Sequence, residues 1–189
     1  METTPANHRH AGPAEPSRWV TRFAPLAPRG GTVLDLACGS GRHGRLFLER
    51  GHPVVFTDRD VAAVRDLEGR IGVEIVEADL EASPGWPLEG RRFAGLVVAN
   101  YLWRPLLPRL AAAVDQGGVL IYETFGRGNE AYSRPRNPDH LLRPGELLDA
   151  FGGTLQVVAY ECGIRRDPQP RVVQRIAAVN RTDPVELAP

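Results

Sequence analysis

Apolar positions along the chain fall into short continuous runs, and between the runs they recur at helical spacing. Thr32-Val33-Leu34-Asp35-Leu36-Ala37 is the first run, ended by glycines, and reads as a buried strand. Strands are expected at 53–57, 73–76, 93–99 and 119–122 as well. The intervening helices are expected at 42–50, closed by Gly51, at 60–67, capped by Asp60, and at 105–114, stopped by Gly117-Gly118. Ser17 is a candidate cap for a short helix carrying Trp19, Val20 and Phe23. Strand–helix alternation of this kind predicts a parallel sheet covered on both faces.

After Tyr122 the pattern changes. Residues 123–143 are poor in apolar positions and rich in Gly, Asn and Pro, so no regular element is expected there. A short helix over 144–151 ends at Gly152-Gly153, and two strands, 155–161 and 172–179, flank a proline-containing turn. They read as an antiparallel hairpin that places the one antiparallel strand at an edge of the sheet. The expected fold is therefore α/β, a doubly wound, seven-stranded Rossmann-like sheet, mostly parallel with a C-terminal antiparallel hairpin strand. Residues 17–180 form the domain, 1–16 a flexible arm and 181–189 a tail. His8 and His10 in the arm have no carboxylate or cysteine nearby, which makes them poor metal ligands.

Composition narrows the chemistry. The 189 residues suit one domain. Basic and acidic residues balance at 23 each, which argues against a broad nucleic-acid or anionic-membrane footprint. All the basic residues are arginine; with no lysine there is neither a Schiff base nor a P-loop lysine. Two cysteines, Cys38 and Cys162, are too few for a disulfide framework. No apolar stretch is long enough to span a membrane and no leader-like segment opens the chain, so a soluble, cytoplasmic protein is expected.

Chemistry concentrates in Asp35-Leu36-Ala37-Cys38-Gly39-Ser40-Gly41-Arg42-His43-Gly44, between the first strand and its helix. Its glycines permit a tight turn and close approach of a ligand, and the helix start offers free N–H groups. Gly39, Gly41 and Gly44 also match the dinucleotide fingerprint, with Asp58 at the end of the second strand where a ribose-binding acid belongs. A nicotinamide dinucleotide and S-adenosylmethionine both meet these requirements. Asp35 favours the second, because a carboxylate near the loop repels a diphosphate and attracts an ammonium group. Asp79, ending the third strand, can accept a hydrogen bond from an adenine amino group.

The run Val-Leu-Asp-Leu-Ala-Cys-Gly-Ser-Gly at 33–41 resembles the first motif of class I S-adenosylmethionine-dependent methyltransferases. Asp58, Asp79-Leu80 and Gly117-Gly118-Val119-Leu120 are similar to that family's later motifs in order and spacing. Ala99-Asn100-Tyr101-Leu102, Tyr122-Glu123-Thr124-Phe125 and Asn137-Pro138 resemble its small tellurite-resistance-type branch. One departure is Ala94, where many members carry an acid after the phenylalanine of the fourth strand. The resemblance implies methyl transfer from S-adenosylmethionine to a small-molecule acceptor. It implies that Asp35 holds the cofactor's ammonium, directly or through water, and that Ala37, Gly39 and Gly41 line its methionine and ribose. Asp58 would then take the ribose hydroxyls, Asp79 and Leu80 the adenine, and the backbone at Asn100 the methionine end. The alternatives are a nicotinamide-dependent oxidoreductase and a non-catalytic cofactor-binding subunit.

Transfer from a sulfonium gains much of its rate from alignment, and a base helps only when the acceptor has a proton to lose. Catalytic candidates are Glu123, Tyr101 and His140. Tyr101 and Trp103 are positioned by sequence to face a sulfonium, with wall packing as the simpler alternative. Glu123 is either a base or the partner of an arginine in the 123–143 segment. His43 and Cys38 read as structural. Arg127, Arg134, Arg136, Arg143 and Tyr132 make the segment a candidate mobile lid for an anionic acceptor, Arg134 and Arg136 first among them, or simply a solvated loop.

Overall fold

A computed structural model describes residues 15–82 and 86–186. Most of the expected arm, including His8 and His10, and the last residues of the tail lie outside the described residues. Seven strands form one sheet in the order β3-β2-β1-β4-β5-β7-β6. They are β1 (Val33–Leu36), β2 (Val54–Asp58), β3 (Val73–Glu77), β4 (Phe93–Ala99), β5 (Val114–Phe125), β6 (Gln156–Arg165) and β7 (Arg171–Val179). The first five are parallel, and β7 is antiparallel to both of its neighbours. The expected hairpin is present, but it inserts β7 beside β5 and leaves β6 at the edge.

Period-two alternation divides each strand between two apolar layers. Leu34, Leu36, Leu96, Val98, Leu120 and Tyr122 face one side, where α3 (Leu107–Ala113) and α4 (Glu146–Phe151) contribute Leu107, Leu110, Leu147 and Phe151. Val33, Phe56, Val97, Val119 and Ile121 face the other, covered by α1 (Arg18–Phe23), α2 (Arg42–Glu49) and a 3-10 helix, Ala62–Leu67. Each fully buried Leu, Val or Phe in these layers contributes about 1.5–3 kcal/mol, which is what holds the sheet between its helices. Ser17 caps α1 as expected, its Oγ accepting the Trp19 N–H.

Three elements depart from expectation. The 60–67 helix is 3-10 throughout, and Asp60 acts before it by accepting the Ala62 N–H. Ahead of α3, residues Arg104–Leu106 form a separate 3-10 turn. The helix stops at Ala113, and the chain passes directly into β5 at Val114, so Gly117-Gly118 lie in an irregular stretch of a long strand.

The largest departure is 123–143. Its first residues extend β5, and its remainder is tied at both ends rather than loose. The Leu142 N–H donates to the Phe125 carbonyl and the Arg127 N–H to the Leu142 carbonyl. Asn129 is fully buried, and its Oδ1 accepts the Val172 N–H. Leu141 and Leu142 are buried too. Arg104 grips the far end, donating to Glu146 and to the carbonyls of Asp139 and Leu141. A few apolar anchors and one arginine suffice where hydrophobic periodicity showed nothing.

Candidate functional site

Five parallel strands end along one edge of the sheet, and the order reverses between β1 and β4. Ligands of doubly wound folds bind outside the strand carboxyl ends at such a reversal. There the structure has a cavity of about 610 Å³, within the size range of cofactor sites. Every parallel strand end supplies a wall: Ala37 after β1, Asp58 and Arg59 at β2, and Ala78 to Glu81 after β3. Asn100 to Leu102 follow β4, Thr124 and Phe125 end β5, and Pro135 and His140 close the far side.

The glycine loop is shaped by packing and by two carboxylates. Gly41 sits at φ +69° before α2, and a Cβ on Gly44 would meet the Phe56 ring at 2.2 Å. The helix can therefore start directly against β2. Asp58 Oδ2 accepts the Gly39 N–H at 2.8 Å, and Asp58 Oδ1 accepts the Asp60 N–H at 3.2 Å. Asp35 Oδ2 accepts the Gly44 N–H at 2.7 Å. The ring of His43 is buried, and its Nε2 accepts the Ser17 N–H, joining α2 to α1. Burial, with Arg42 nearby, lowers the His43 pKa to about 3, so it is a neutral acceptor. Burial and then the Asp35 carboxylate push the Cys38 thiol upward, which keeps it protonated and inert.

Asp35 lies behind the loop and does not line the cavity. Burial raises its pKa from 3.8 to about 7, against the pull of the Gly44 N–H and Arg42. An acid raised on folding keeps in the folded state a proton that the unfolded chain has already released. Its contribution to stability is then fully present below about pH 4 and is lost as pH rises through about 7. Asp35→Asn should remove that loss, which is on the order of 2–4 kcal/mol. Urea unfolding at about pH 5 and about pH 8 reads it: the wild-type decline should shrink in the variant, and an undiminished decline would assign it to other groups.

Two non-glycine residues among those described have positive φ, Ala37 at 52° and Asn100 at 57°. Both line the cavity, and strain of this kind collects at ligand-binding turns. The Asn100 N–H donates to the Glu123 carbonyl, joining the ends of β4 and β5. Asp79 spends Oδ1 on the Glu81 N–H. Tyr101 lines the cavity, and its hydroxyl is buried without a hydrogen bond of normal geometry. Burial, followed by the nearby carboxylates of Glu81 and Asp79, raises its pKa, so the phenol stays neutral with Glu81 as its neighbouring acceptor.

The remaining candidates separate. His140 lines the cavity beside Pro135. Trp103 packs against the hydrophobic layer under α3 instead of lining the cavity. Arg134 and Arg136 are exposed and line neither cavity, because the turn points Pro135 inward between them. Glu123 lines a second cavity of about 380 Å³ and pairs with Arg175 of β7 at 4.0 Å, not with an arginine of its own loop. Asn100 and Thr124 belong to both cavities. Sequence reasoning missed Glu81, two residues beyond Asp79, and the arginines of the second cavity. Arg165 and Arg171 flank the hairpin turn, just outside the strand limits that apolar runs suggest.

No protein-family model and no curated protein sequence matches the chain. Solved structures do. TehB from Haemophilus influenzae is similar with a TM-score of 0.68 at 15% identity, over 86% of this chain and 61% of that one, so this chain spans less than two thirds of that protein. The 1,6-didemethyltoxoflavin-N1-methyltransferase of Burkholderia thailandensis, solved with S-adenosylhomocysteine, gives 0.64 at 19%, over 87% and 76%. A glycopeptide N-methyltransferase, MtfA, solved with the same product, gives 0.61 at 19%, over 89% and 91%. The expected fold is thereby shown: a seven-stranded Rossmann-like sheet shared with these methyltransferases.

Proposed function

We propose that this protein transfers a methyl group from S-adenosylmethionine to a small molecule. The observation that carries the proposal is the cavity into which Ala37 of the glycine loop, Asp58, Asp79 and Asn100 converge from four consecutive strand ends. Its walls bear Asp58, Asp79 and Glu81 against one arginine, Arg59. An acidic cavity attracts a sulfonium and an ammonium and repels the diphosphate of a dinucleotide. Solved structures of the same fold hold S-adenosylhomocysteine, which supports the reading.

The residues present fit that cofactor. Asp58 would take the ribose hydroxyls with an oxygen now on the Gly39 N–H. Asp79 retains Oδ2 for an adenine amino group, with the buried Leu80 beside it. Ala37, Gly39, Gly41 and the backbone at Asn100 would border the methionine portion. Asp35 would act on the ammonium by charge from behind the loop, and Tyr101 borders the same cavity. When bound, the cofactor supplies an electrophilic methyl group; the chain's part is to align it and exclude water. A cytoplasmic setting accords with the free thiols of Cys38 and Cys162. No helix among the described residues is long and apolar enough to cross a membrane.

Titration calorimetry with S-adenosylhomocysteine and with NAD tests the proposal. The first should bind in the micromolar range and the second should not. Asp58→Ala should weaken binding by about 1–3 kcal/mol, since a charged hydrogen-bond acceptor is lost and the Gly39 N–H is released. Equal affinity for NAD would make the site a dinucleotide site instead.

A further inference from the structure

Arg165 and Arg171 face each other across the β6–β7 hairpin. Like charges directly opposite on paired strands repel, so this placement calls for a compensating group. Among the described residues, neither arginine has a salt-bridge partner. The Arg171 Nε is buried and without a hydrogen-bond partner. Burial and the neighbouring Arg175 and Arg171 lower the Arg165 pKa, a mark of crowded positive charge. Both side chains line the second cavity, with Arg18 and Arg42 opposite.

This cavity adjoins the first through Asn100 and Thr124. Its arginines outnumber its acids, Glu15, Glu123 and Asp167, whereas the first cavity is acidic. Glu123 stands nearest the junction in sequence, between Tyr122 and the shared Thr124. Its row across the sheet is Glu123–Arg175–Glu161, with Arg175 stacked on Trp19, so Arg175 is already committed while Arg165 and Arg171 are not.

We infer that the second cavity is the acceptor site and that the acceptor is a small organic anion, its carboxylate or phosphate held by Arg165 and Arg171. The inference rests on the methyl-transfer reading for the word acceptor, but the anion site stands on its own geometry. A guanidinium pair suits a planar carboxylate or a phosphate, each arginine offering two parallel donors. On this reading the anion contacts expected of the arginines in the 123–143 loop are made by the hairpin.

Calorimetry with benzoate and phenyl phosphate as anionic probes, and benzamide as the neutral counterpart of benzoate, tests this in the full chain. Each titration is run with and without saturating S-adenosylhomocysteine. At least one anion should bind, benzamide should bind about tenfold or more weakly, and Arg165→Gln/Arg171→Gln should lower anion affinity by a similar factor. Arg134→Ala/Arg136→Ala should leave it unchanged, and Glu123→Gln, which removes a negative charge from the cavity, should raise it. Thermal unfolding checks that each variant is folded, and Arg171→Lys, which keeps charge without the planar fork, should give an intermediate loss. Benzamide binding as well as benzoate, absence of anion binding, or equal affinity in the hairpin double variant would overturn the inference. So would a matching loss of S-adenosylhomocysteine affinity in that variant, because the arginines would then hold the cofactor's own carboxylate. Failure of S-adenosylhomocysteine to bind the wild type would sink the methyl-transfer reading alone, since the anion titrations without it remain readable.

Discussion

Gly44→Ala should destabilise the protein by about 3 kcal/mol. The new Cβ would lie 2.2 Å from Phe56 Cε1 and 2.6 Å from Cζ. Neither side can give way easily. Phe56 is fully buried between Val64 and the sheet. The Gly44 N–H is bound to Asp35, so α2 can retreat only by breaking a bond to a buried carboxylate. A loss of this size lowers the melting temperature of a domain this long by roughly 6–12 °C. S-adenosylhomocysteine affinity should fall with it, because displacing α2 displaces Gly39 and Gly41. Adding Phe56→Leu should recover part of both. A melting temperature within about 2 °C of wild type would show that helix and strand are not in the contact described.

Arg104→Ala should cost about 2–4 kcal/mol and loosen the 126–146 segment selectively. Arg104 donates through Nε to Glu146 Oε1 at 2.6 Å and through Nη2 to Glu146 Oε2 at 3.1 Å. The same guanidinium donates to the carbonyls of Asp139 at 2.6 Å and Leu141 at 2.9 Å. The Glu146 side chain is only 6% exposed; burial, the largest single effect, pushes its pKa up, but the hydrogen bonds from Arg104 and the Arg143 N–H together outweigh it and hold the pKa below its usual value. Removing the arginine strands that carboxylate with Arg143 alone, while the 35% exposure of Arg104 holds the loss toward the lower end. Amide exchange should quicken in 126–146 and stay unchanged in β1 and β4. Arg104→Lys should not rescue it, because one ammonium cannot reach all four acceptors. Uniform exchange across the chain would mean that the segment is held by other contacts.

Short-range signals carried the fold and the proposed cofactor half of the site. Strands buried on both faces must be continuous apolar runs, so β1, β2, β4 and the middle of β5 show in the sequence, while the half-buried β3 mixes apolar and acidic residues. Glycines at 39, 41 and 44 announce a turn that only a close helix–strand contact requires. Acids at successive strand ends need no knowledge of the third dimension, because parallel strands bring their ends together. The proposed acceptor side shows only in the tertiary structure. Asn129 and the adjacent Leu141 and Leu142 form no periodic pattern, yet they anchor the 123–143 segment, because a loop needs only isolated contacts to be ordered. Arginines look alike in sequence whether solvated or aimed at a ligand. Arg134 and Arg136 turn outward around Pro135, whereas Arg165 and Arg171 turn inward because strand register sets them opposite each other on one face. The pairing of β7 with β5 is the long-range part, because it brings the hairpin beside the strand ends, and on the proposed reading it moves the expected anion contacts from the loop to the sheet.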